Sequence, residues 1–223
     1  MTPPLQITKF RHSCLRFSQQ GQYLLFDPGT LAFRDPRVRP EVFSDIQAIV
    51  ITHNHPDHLD PDAVQAIQHL SGATIIGNSE VAKALADRDL SVQVHEAGPL
   101  EVAGFRLQAI PVQHEAILDD HLPQTTAYLI NERVLNVADA FDPVLLAHAG
   151  IEVAVLPVMA PFLTELGVLA FAKQLRPRQV IPVHDGFAED DIVQQRYETY
   201  RPYLAQAGMT FHELAVPGAS VTL

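Results

Sequence analysis

Several side chains that can bind metal ions are crowded into the stretch ITHNHPDHLDP, which spans residues 51–61. These side chains are His53, His55, Asp57 and His58. Residues two apart on an extended segment point the same way, so His53 and His55 can bind one ion. Asp57 and His58 follow after the chain begins to turn, so they can face a second point nearby. A solvated helix entry with an aspartate cap is the alternative, but this spacing favours a site for zinc, manganese or iron.

Further ligands are expected at the ends of other strands, because one segment cannot fill two coordination spheres. His114 follows the apolar stretch LQAIPVQ, Asp139 follows VLNVA and His184 follows QVIPV. Each therefore lies at the carboxyl end of a predicted strand, where open α/β sheets place their sites. Taken singly, each of the three is equally well a loop residue. Their shared placement indicates that they join the ligands of residues 51–61.

Short strands and helices alternate along the chain in an order typical of an α/β protein. The apolar patterns predict strands at residues 5–9, 14–18, 22–27, 47–52, 73–76, 152–156 and 179–183, a two-stranded segment over 101–112, a hairpin across Asn131 and Glu132, and a final strand pair near 210 and 220. They predict helices at residues 79–87, 142–149, 164–175 and 189–206, and one that starts with Asp60 as N-cap and Pro61 in its first turn. The sequence thus predicts helices outside two sheets, in one domain that spans residues 1–223.

Composition and charge narrow the classes of function. The 223 residues are 47% hydrophobic and 18% charged, as in an ordinary globular protein. A formal net charge of -11 disfavours nonspecific binding to nucleic acid or to an anionic membrane. The single cysteine, Cys14, excludes an intramolecular disulfide. With no signal-peptide pattern at the N-terminus and no long apolar stretch, we expect a cytoplasmic protein, and the helix at 189–206 leaves a homo-oligomer open.

The stretch THNHPDH matches the HxHxDH signature of the metallo-β-lactamase superfamily, and the later ligand candidates follow in that family's order. The segments TKFRHSCLRF and YLLFDPG resemble the family's first strands, and VIPVHDGF resembles its last motif. The resemblance covers essentially the whole chain and implies an α/β fold, the family's four-layer αβ/βα sandwich. Among its subgroups, the compact layout most resembles the small metal-dependent hydrolases related to ascorbate-phosphate lactonase.

The resemblance also implies a role for each ligand candidate. One ion would be held by His53, His55 and His114, the other by Asp57, His58 and His184, and both would be bridged by Asp139. Asp27 would stand behind the ligands and fix the metal-bearing loop by hydrogen bonds. The chain departs from the family at Ala138, where the family usually has a glycine before the bridging aspartate. A methyl group is small, so we expect metal binding to survive this change.

Two divalent ions a few ångströms apart lower the pKa of a shared water from about 16 towards 7, so hydrolysis is the reaction that such a site supports. Asp57 is the candidate for taking or giving a proton. Three other residues are candidate substrate contacts. His12 can reach the site from the first turn, Arg34 can bind a phosphate or carboxylate through two parallel hydrogen bonds, and His121 can line the opening of the site. For each of them, a simple turn or surface position is the alternative.

The sequence therefore predicts a hydrolase that uses two divalent ions on a small ester, lactone, amide or phosphoester. Zinc is the first expectation, with manganese or iron as alternatives. The expected partner is a small-molecule substrate, and neither nucleic acid nor a membrane. Two other functions stay open: an iron-dependent oxygenase or redox protein, and a non-catalytic metal-binding module on the same fold.

Overall fold

Two seven-stranded sheets lie face to face in the computed structural model, which describes residues 3–118 and 121–223. The strands are β1 (Gln6–Arg11), β2 (Cys14–Gln19), β3 (Gln22–Phe26), β4 (Ala48–Val50), β5 (Thr74–Gly77), β6 (Val92–Val94), β7 (Gly98–Val102), β8 (Phe105–Gln113), β9 (Gln124–Ile130), β10 (Val134–Asn136), β11 (Val153–Pro157), β12 (Gln179–Val183), β13 (Thr210–Phe211) and β14 (Ala219–Thr222). The first sheet has the order β14-β1-β2-β3-β4-β5-β6, and the second has the order β13-β12-β11-β10-β9-β8-β7.

The helices lie between these strands along the chain. They are α1 (Thr30–Phe33), α2 (Pro61–Ser71), α3 (Ser79–Ala84), α4 (Glu165–Leu175) and α5 (Asp190–Gln206), with short 3₁₀ helices at Pro40–Phe43, Ala86–Arg88 and Pro143–His148. Among residues 3–118 and 121–223, every helix is too short or too polar to traverse a lipid bilayer.

Three apolar clusters produce a layered arrangement. The first lies between the sheets, where Phe17 and Phe26 of the first sheet share one core with Tyr128 of the second. The second joins the outer face of the second sheet to α4 and α5, and the third joins the outer face of the first sheet to α2. Both faces of each sheet are thus covered, which explains why the inner strands are apolar without interruption. The predicted αβ/βα sandwich is confirmed.

The sheet topology places the ends of the ligand-bearing strands at the site. Strands β3 to β6 run parallel, as do β10 to β13. Parallel strands end along the same edge of a sheet, and the segments that carry the ligand candidates leave from the ends of β4, β10 and β12. The fourth segment leaves from the end of β8, which is antiparallel to β9. Two facing sheets therefore deliver candidate ligands to one place.

Helix α2 begins where the sequence predicts it. The Asp60 side chain accepts hydrogen bonds from the backbone N–H groups of Asp62 and Ala63, both at 3.1 Å. Pro61 fills the first helical position, and the helix ends at Gly72 in the left-handed conformation, φ 71°. This cap fixes the chain directly after residues 51–58, so the loop with the histidines is held by a strand before it and a helix after it.

The structure differs from the predicted elements at four places. The final strands are not a pair: Thr210–Phe211 lies parallel to β12, whereas Ala219–Thr222 lies antiparallel to β1, so each extends the edge of a different sheet. The segment after residue 29, for which no helix is predicted, contains α1 and a 3₁₀ helix, because its apolar residues Ala32 and Phe43 are buried against the first sheet. The predicted helix at 142–149 is a 3₁₀ helix, and strand β6 was not predicted.

A buried charged network ties three distant elements together. The Lys9 ammonium on β1 donates to the Asp185 carboxylate beyond β12, and it donates a second hydrogen bond of 2.8 Å to the Tyr197 hydroxyl on α5. Tyr197 in turn donates to Asp185. Burial lowers the pKa of Lys9, and although burial alone would raise the pKa of Asp185, the charge of Lys9 outweighs it and lowers that pKa. These hydrogen bonds connect β1, α5 and the residue after His184, and they fix the segment that follows His184.

We expect the variant Lys9→Met to lose about 3–5 kcal/mol of unfolding free energy, because it leaves the buried Asp185 carboxylate without a counter-charge. Tyr197→Phe removes one hydroxyl and should lose less, about 1.5–3 kcal/mol. Urea unfolding followed by circular dichroism measures both. The control is Arg106→Met, which removes an exposed ion pair with Glu132 and should cost at most about 1 kcal/mol. A Lys9→Met variant as stable as the control would contradict the role of this network.

Candidate metal centre

Four buried histidines present one ring nitrogen each to a common point. In every case the other nitrogen, Nδ1, already has a hydrogen-bond partner: the Thr52 hydroxyl for His53 at 3.0 Å, the Asp27 carboxylate for His58 at 3.0 Å, the Glu115 carbonyl for His114 at 2.6 Å and the Met159 carbonyl for His184 at 2.8 Å. Thr52 donates its own hydrogen to Asp27, so its oxygen accepts from His53. All four Nδ1 atoms therefore carry the proton, and all four Nε2 atoms offer a lone pair.

These four Nε2 atoms are buried and have no hydrogen-bond partner within the described residues. Buried polar atoms are almost always paired, so four unpaired acceptors around one point indicate that a cation belongs there. The donor set is imidazole and carboxylate, which suits zinc, manganese or iron. The residues present thus fit the metal ions that the sequence predicts.

The ligand atoms fall into two groups, in each of which they lie within 4.8 Å of one another. The first group is His53, His55, His114 and Asp139, and the second is His12, Asp57, His58 and His184. The Asp139 carboxylate lies between them. Its Oδ2 atom is 3.6 Å from His114 Nε2 and 2.9 Å from His184 Nε2, and its Oδ1 atom is 3.4 Å from His58 Nε2. This is the position that a bridging ligand requires.

The electrostatics of the site without metal show what it is built to hold. Burial alone would lower the pKa of His184, but the Asp139 and Asp57 carboxylates outweigh it and raise that pKa to about 9. The same balance, with Asp139 and Asp27, raises the pKa of His58. Burial alone would raise the pKa of Asp139, yet the charges of His184 and His58 lower it well below its usual value. The carboxylates therefore attract positive charge to this point, in the form of protons when no metal is bound.

Asp27 is hydrogen-bonded to two residues of the loop that carries the candidate ligands. Its Oδ1 atom accepts from the Thr52 backbone N–H at 2.8 Å, and its Oδ2 atom accepts from the Thr52 hydroxyl at 2.9 Å and from His58. The next turn lies very close to the metal-bearing loop, since a Cβ atom on Gly29 would fall 1.9 Å from the Asp57 carbonyl oxygen. Only glycine fits there. The sequence DPG therefore places a carboxylate behind the ligands and lets the two loops touch.

Ala138 adopts a left-handed backbone conformation, φ 55°, just before the bridging aspartate. This is a conformation that glycine adopts freely and alanine adopts at a cost of roughly 1 kcal/mol, which accounts for the glycine that the family usually has there. The Ala138 N–H donates to the Asn136 side chain at 3.1 Å, and this bond holds the turn. Asp139 keeps its place between the two groups, so the substitution leaves the ligand geometry intact.

His12, one of the predicted substrate contacts, lies behind Asp57 and not on a cavity wall. It is fully buried. Its Nδ1 atom accepts from the Gly186 N–H at 3.0 Å, so the proton is on Nε2, which donates to Asp57 Oδ2 at 3.0 Å. Burial lowers the pKa of His12 to about 4, so the ring is neutral at pH 7. Both nitrogens are engaged, and His12 orients Asp57.

The other two predicted substrate contacts line cavities that open beside the ligands. Arg34 borders a cavity of about 310 Å³ that also contains His55, Asp57, His114, Asp139 and His184. His121 borders a second cavity, of about 450 Å³, which also reaches His55. The first cavity is walled by Leu31, Ile117, Pro161, Phe162 and Phe187, none of which the sequence patterns marked as functional. Pro161, Phe162 and Phe187 follow strand ends, which is the one signal that could have pointed to them.

The beta-lactamase superfamily domain model matches residues 6–184, which is more than half of the chain. The chain belongs to the metallo-β-lactamase superfamily. It is 28% identical over 190 residues to the UPF0173 metal-dependent hydrolase PH1671 of Pyrococcus horikoshii, a match that covers 79% of this chain and 83% of the relative. Protein Rv0786c of Mycobacterium tuberculosis is 25% identical over 201 residues, with 84% and 87% covered.

Solved structures show the same fold. Igni18, a novel metallo hydrolase from Ignicoccus hospitalis, superposes with a TM-score of 0.69 at 21% identity, covering 99% of this chain and 98% of that one. The metallo-beta-lactamase fold protein YhfI from Bacillus subtilis superposes with a TM-score of 0.74 at 15% identity over the full length of both chains. The predicted family and the predicted class of metal-dependent hydrolase are confirmed. The finer resemblance to ascorbate-phosphate lactonase stays a prediction.

We expect Asp27→Asn to weaken metal binding about 10- to 100-fold, because an amide at this position cannot accept from both Thr52 and His58 as a carboxylate does. Competition with a chromophoric chelator measures the zinc affinity. Asp35→Asn is the matched control, since Asp35 is also buried but accepts its hydrogen bonds from Arg37. Equal zinc affinity in the two variants would show that Asp27 does not hold the ligands.

Proposed function

We propose that this protein is a hydrolase that binds two divalent cations and acts on a small ester, lactone, amide or phosphoester. The observation that supports the proposal most strongly is the set of four buried Nε2 lone pairs around the Asp139 carboxylate. The two ligand groups meet at that carboxylate, so we assign His53, His55 and His114 to one ion, Asp57, His58 and His184 to the other, and Asp139 to both. When bound, such a pair of ions supplies activated water and polarises the oxygen of the scissile group.

The protein's own residues orient the reacting groups. Four of the five assigned imidazoles, those of His53, His58, His114 and His184, are held on the Nδ1 side by a fixed acceptor, which prevents these rings from turning when a substrate enters. Asp57 is held by His12 and borders the cavity. Burial alone would raise the pKa of Asp57, but the hydrogen bond from His12 and the neighbouring His184 imidazole outweigh it and lower that pKa well below its usual value. Asp57 is therefore a carboxylate at neutral pH, which favours its role as a ligand over its predicted role in proton transfer.

The size of the cavity limits the size of the substrate, and the net charge of the protein limits its chemical class. A space of about 310 Å³ accommodates a small molecule and not a folded polymer. Phe162 lies against the His114 ring at 5.7 Å and the His184 ring at 5.4 Å between centroids, and Phe187 lies against the His12 ring at 5.0 Å. These rings keep bulk water from the ligands, which strengthens electrostatic interactions at the reacting centre. The net charge of -11 further favours a small substrate over nucleic acid.

We expect elemental analysis of protein purified without added metal to give two divalent ions per chain. His55→Ala and Asp139→Ala should each remove metal and at least 99% of hydrolysis of a panel of aryl esters, lactones and aryl phosphodiesters, while the far-ultraviolet circular dichroism is unchanged. The control is His69→Ala, an exposed histidine on α2.

Three results would count against the proposal. Full activity in His55→Ala or Asp139→Ala would remove the assigned ligands from the reaction. Two bound metals with no turnover on the whole panel would favour a non-catalytic module. Bound iron with visible absorbance and oxygen consumption would favour the redox alternative.

A further inference from the structure

We infer that the substrate carries a second anionic group, a carboxylate or phosphate apart from the scissile bond, on an apolar body, and that Arg34 binds this group. The inference rests on the proposed function, because it names the substrate class of the same site. It depends on three observations: the place of Arg34, the state of its neighbours and the chemistry of the walls.

Arg34 lies at the end of α1, on the rim of the cavity whose floor is formed by the metal ligands. Helix α1 itself is held against the metal-bearing loop, since the Thr30 N–H donates to the Pro56 carbonyl at 2.8 Å. The start of α1 is thus fixed relative to the ligands. A molecule that fills a cavity of about 310 Å³ and reaches the ligands also reaches the rim where Arg34 stands.

Two nearby arginines, Arg37 and Arg11, are neutralised by carboxylates, whereas Arg34 is not. Arg37 binds Asp35 through two nitrogens, at 2.8 and 2.5 Å, and Arg11 donates to Asp190 at 2.8 Å. Within residues 3–118 and 121–223, the Arg34 guanidinium makes no hydrogen bond and no ion pair. Asp35 and Asp190, two acidic residues that border a cavity together with Arg34, are therefore already paired with other cations. Arg34 has its full set of donors available for an anion that comes from outside.

The walls between Arg34 and the ligands are apolar. Leu31, Ile117, Phe162 and Phe187 border the same cavity, and the side chains of Ile117 and Phe187 are about half exposed. Exposed aromatic and branched side chains around a cleft favour an apolar body in it. A guanidinium at the edge of such a cleft binds a carboxylate or phosphate by two parallel hydrogen bonds, which fixes the orientation of the molecule. The anion at Arg34 then directs the scissile group towards the metal ligands.

Calorimetric titration with 2-benzylsuccinate tests this assignment, because that compound joins two carboxylates to an aromatic ring. The matched probes are its two monoamides, each of which replaces one carboxylate by a neutral amide. With zinc-loaded full-length protein, we expect benzylsuccinate to bind at least about 10-fold more tightly than either monoamide. Arg34→Met should reduce this preference to less than about 3-fold. Arg39→Met, which removes the same charge from the same loop outside the cavity, should keep it.

Two results would overturn the inference: no preference for benzylsuccinate in the zinc-loaded wild-type protein, or an undiminished preference in Arg34→Met. If either occurs while the protein binds two ions and hydrolyses the ester panel, the anion site is wrong and the proposed function stands. If the protein binds no metal and shows no turnover, the proposed function fails and this inference fails with it. Thermal melting of Arg34→Met confirms that the exposed substitution leaves the fold unchanged.

Discussion

The structure of this protein is organised around buried imidazole nitrogens that have no hydrogen-bond partner in residues 3–118 and 121–223. Leaving one buried acceptor unpaired costs about 1–3 kcal/mol, and here four of them face the same carboxylate. A fold tolerates such an arrangement only if something else satisfies it. Without metal, the carboxylates of Asp139, Asp57 and Asp27 keep the pKa of His58 and His184 raised, so protons partly fill this role. A pair of divalent ions, as we propose, would satisfy all four lone pairs at once, and metal binding would then contribute to the stability of the native state.

The backbone carries strain at the same place. Four residues at the site have positive φ angles, between 45° and 66°: His12, Asp27, Ala138 and His184. His184 is a ligand candidate, His12 and Asp27 are hydrogen-bonded to ligand candidates, and Ala138 directly precedes one. Non-glycine residues in this conformation cost of order 1–3 kcal/mol each and persist only where the surroundings fix them. The surrounding structure constrains these residues here, because β4 and β12 are interior strands. The network of Lys9, Asp185 and Tyr197 also holds the segment after His184. The rigid sandwich thus supports turns that aim the side chains.

The sequence predicts the centre of the site better than its surroundings, for physical reasons. The candidate ligands of residues 51–58 are close in sequence, and the remaining candidates follow recognisable strands. The hydrophobic periodicity of the strands and the spacing of these residues therefore suffice to predict that they lie together. The separation of β13 and β14 into different sheets depends on which edges are free, which no local pattern encodes. Lys9 on β1 is in phase with the buried Leu5 and Ile7, but lysine is a residue type that is rarely buried without a partner. Its burial is decided by Asp185 and Tyr197, which are 176 and 188 residues away. The sequence predicts His12 as a substrate contact, whereas its hydrogen bonds with Asp57 and Gly186 depend on the folded chain and cannot be read from local spacing.

The candidate ligand rings have an inner side, which is hydrogen-bonded to the fold, and an outer side, which faces the cavity, and the two sides have different functions. On the inner side, the rings donate hydrogen bonds to acceptors near strand ends and to the Asp27 carboxylate, and these bonds fix the rings. Any change to these acceptors alters the position of a ligand candidate. On the outer side, Phe162 and Phe187 contact the same rings but come from loops that carry no ligand except His184 itself. Because loops tolerate substitution better than interior strands, the residues on the outer side can change without loss of the metal site. The residues on the outer side border the cavity, so under the proposed function they are the part of this chain that selects the substrate while the ligands stay in place.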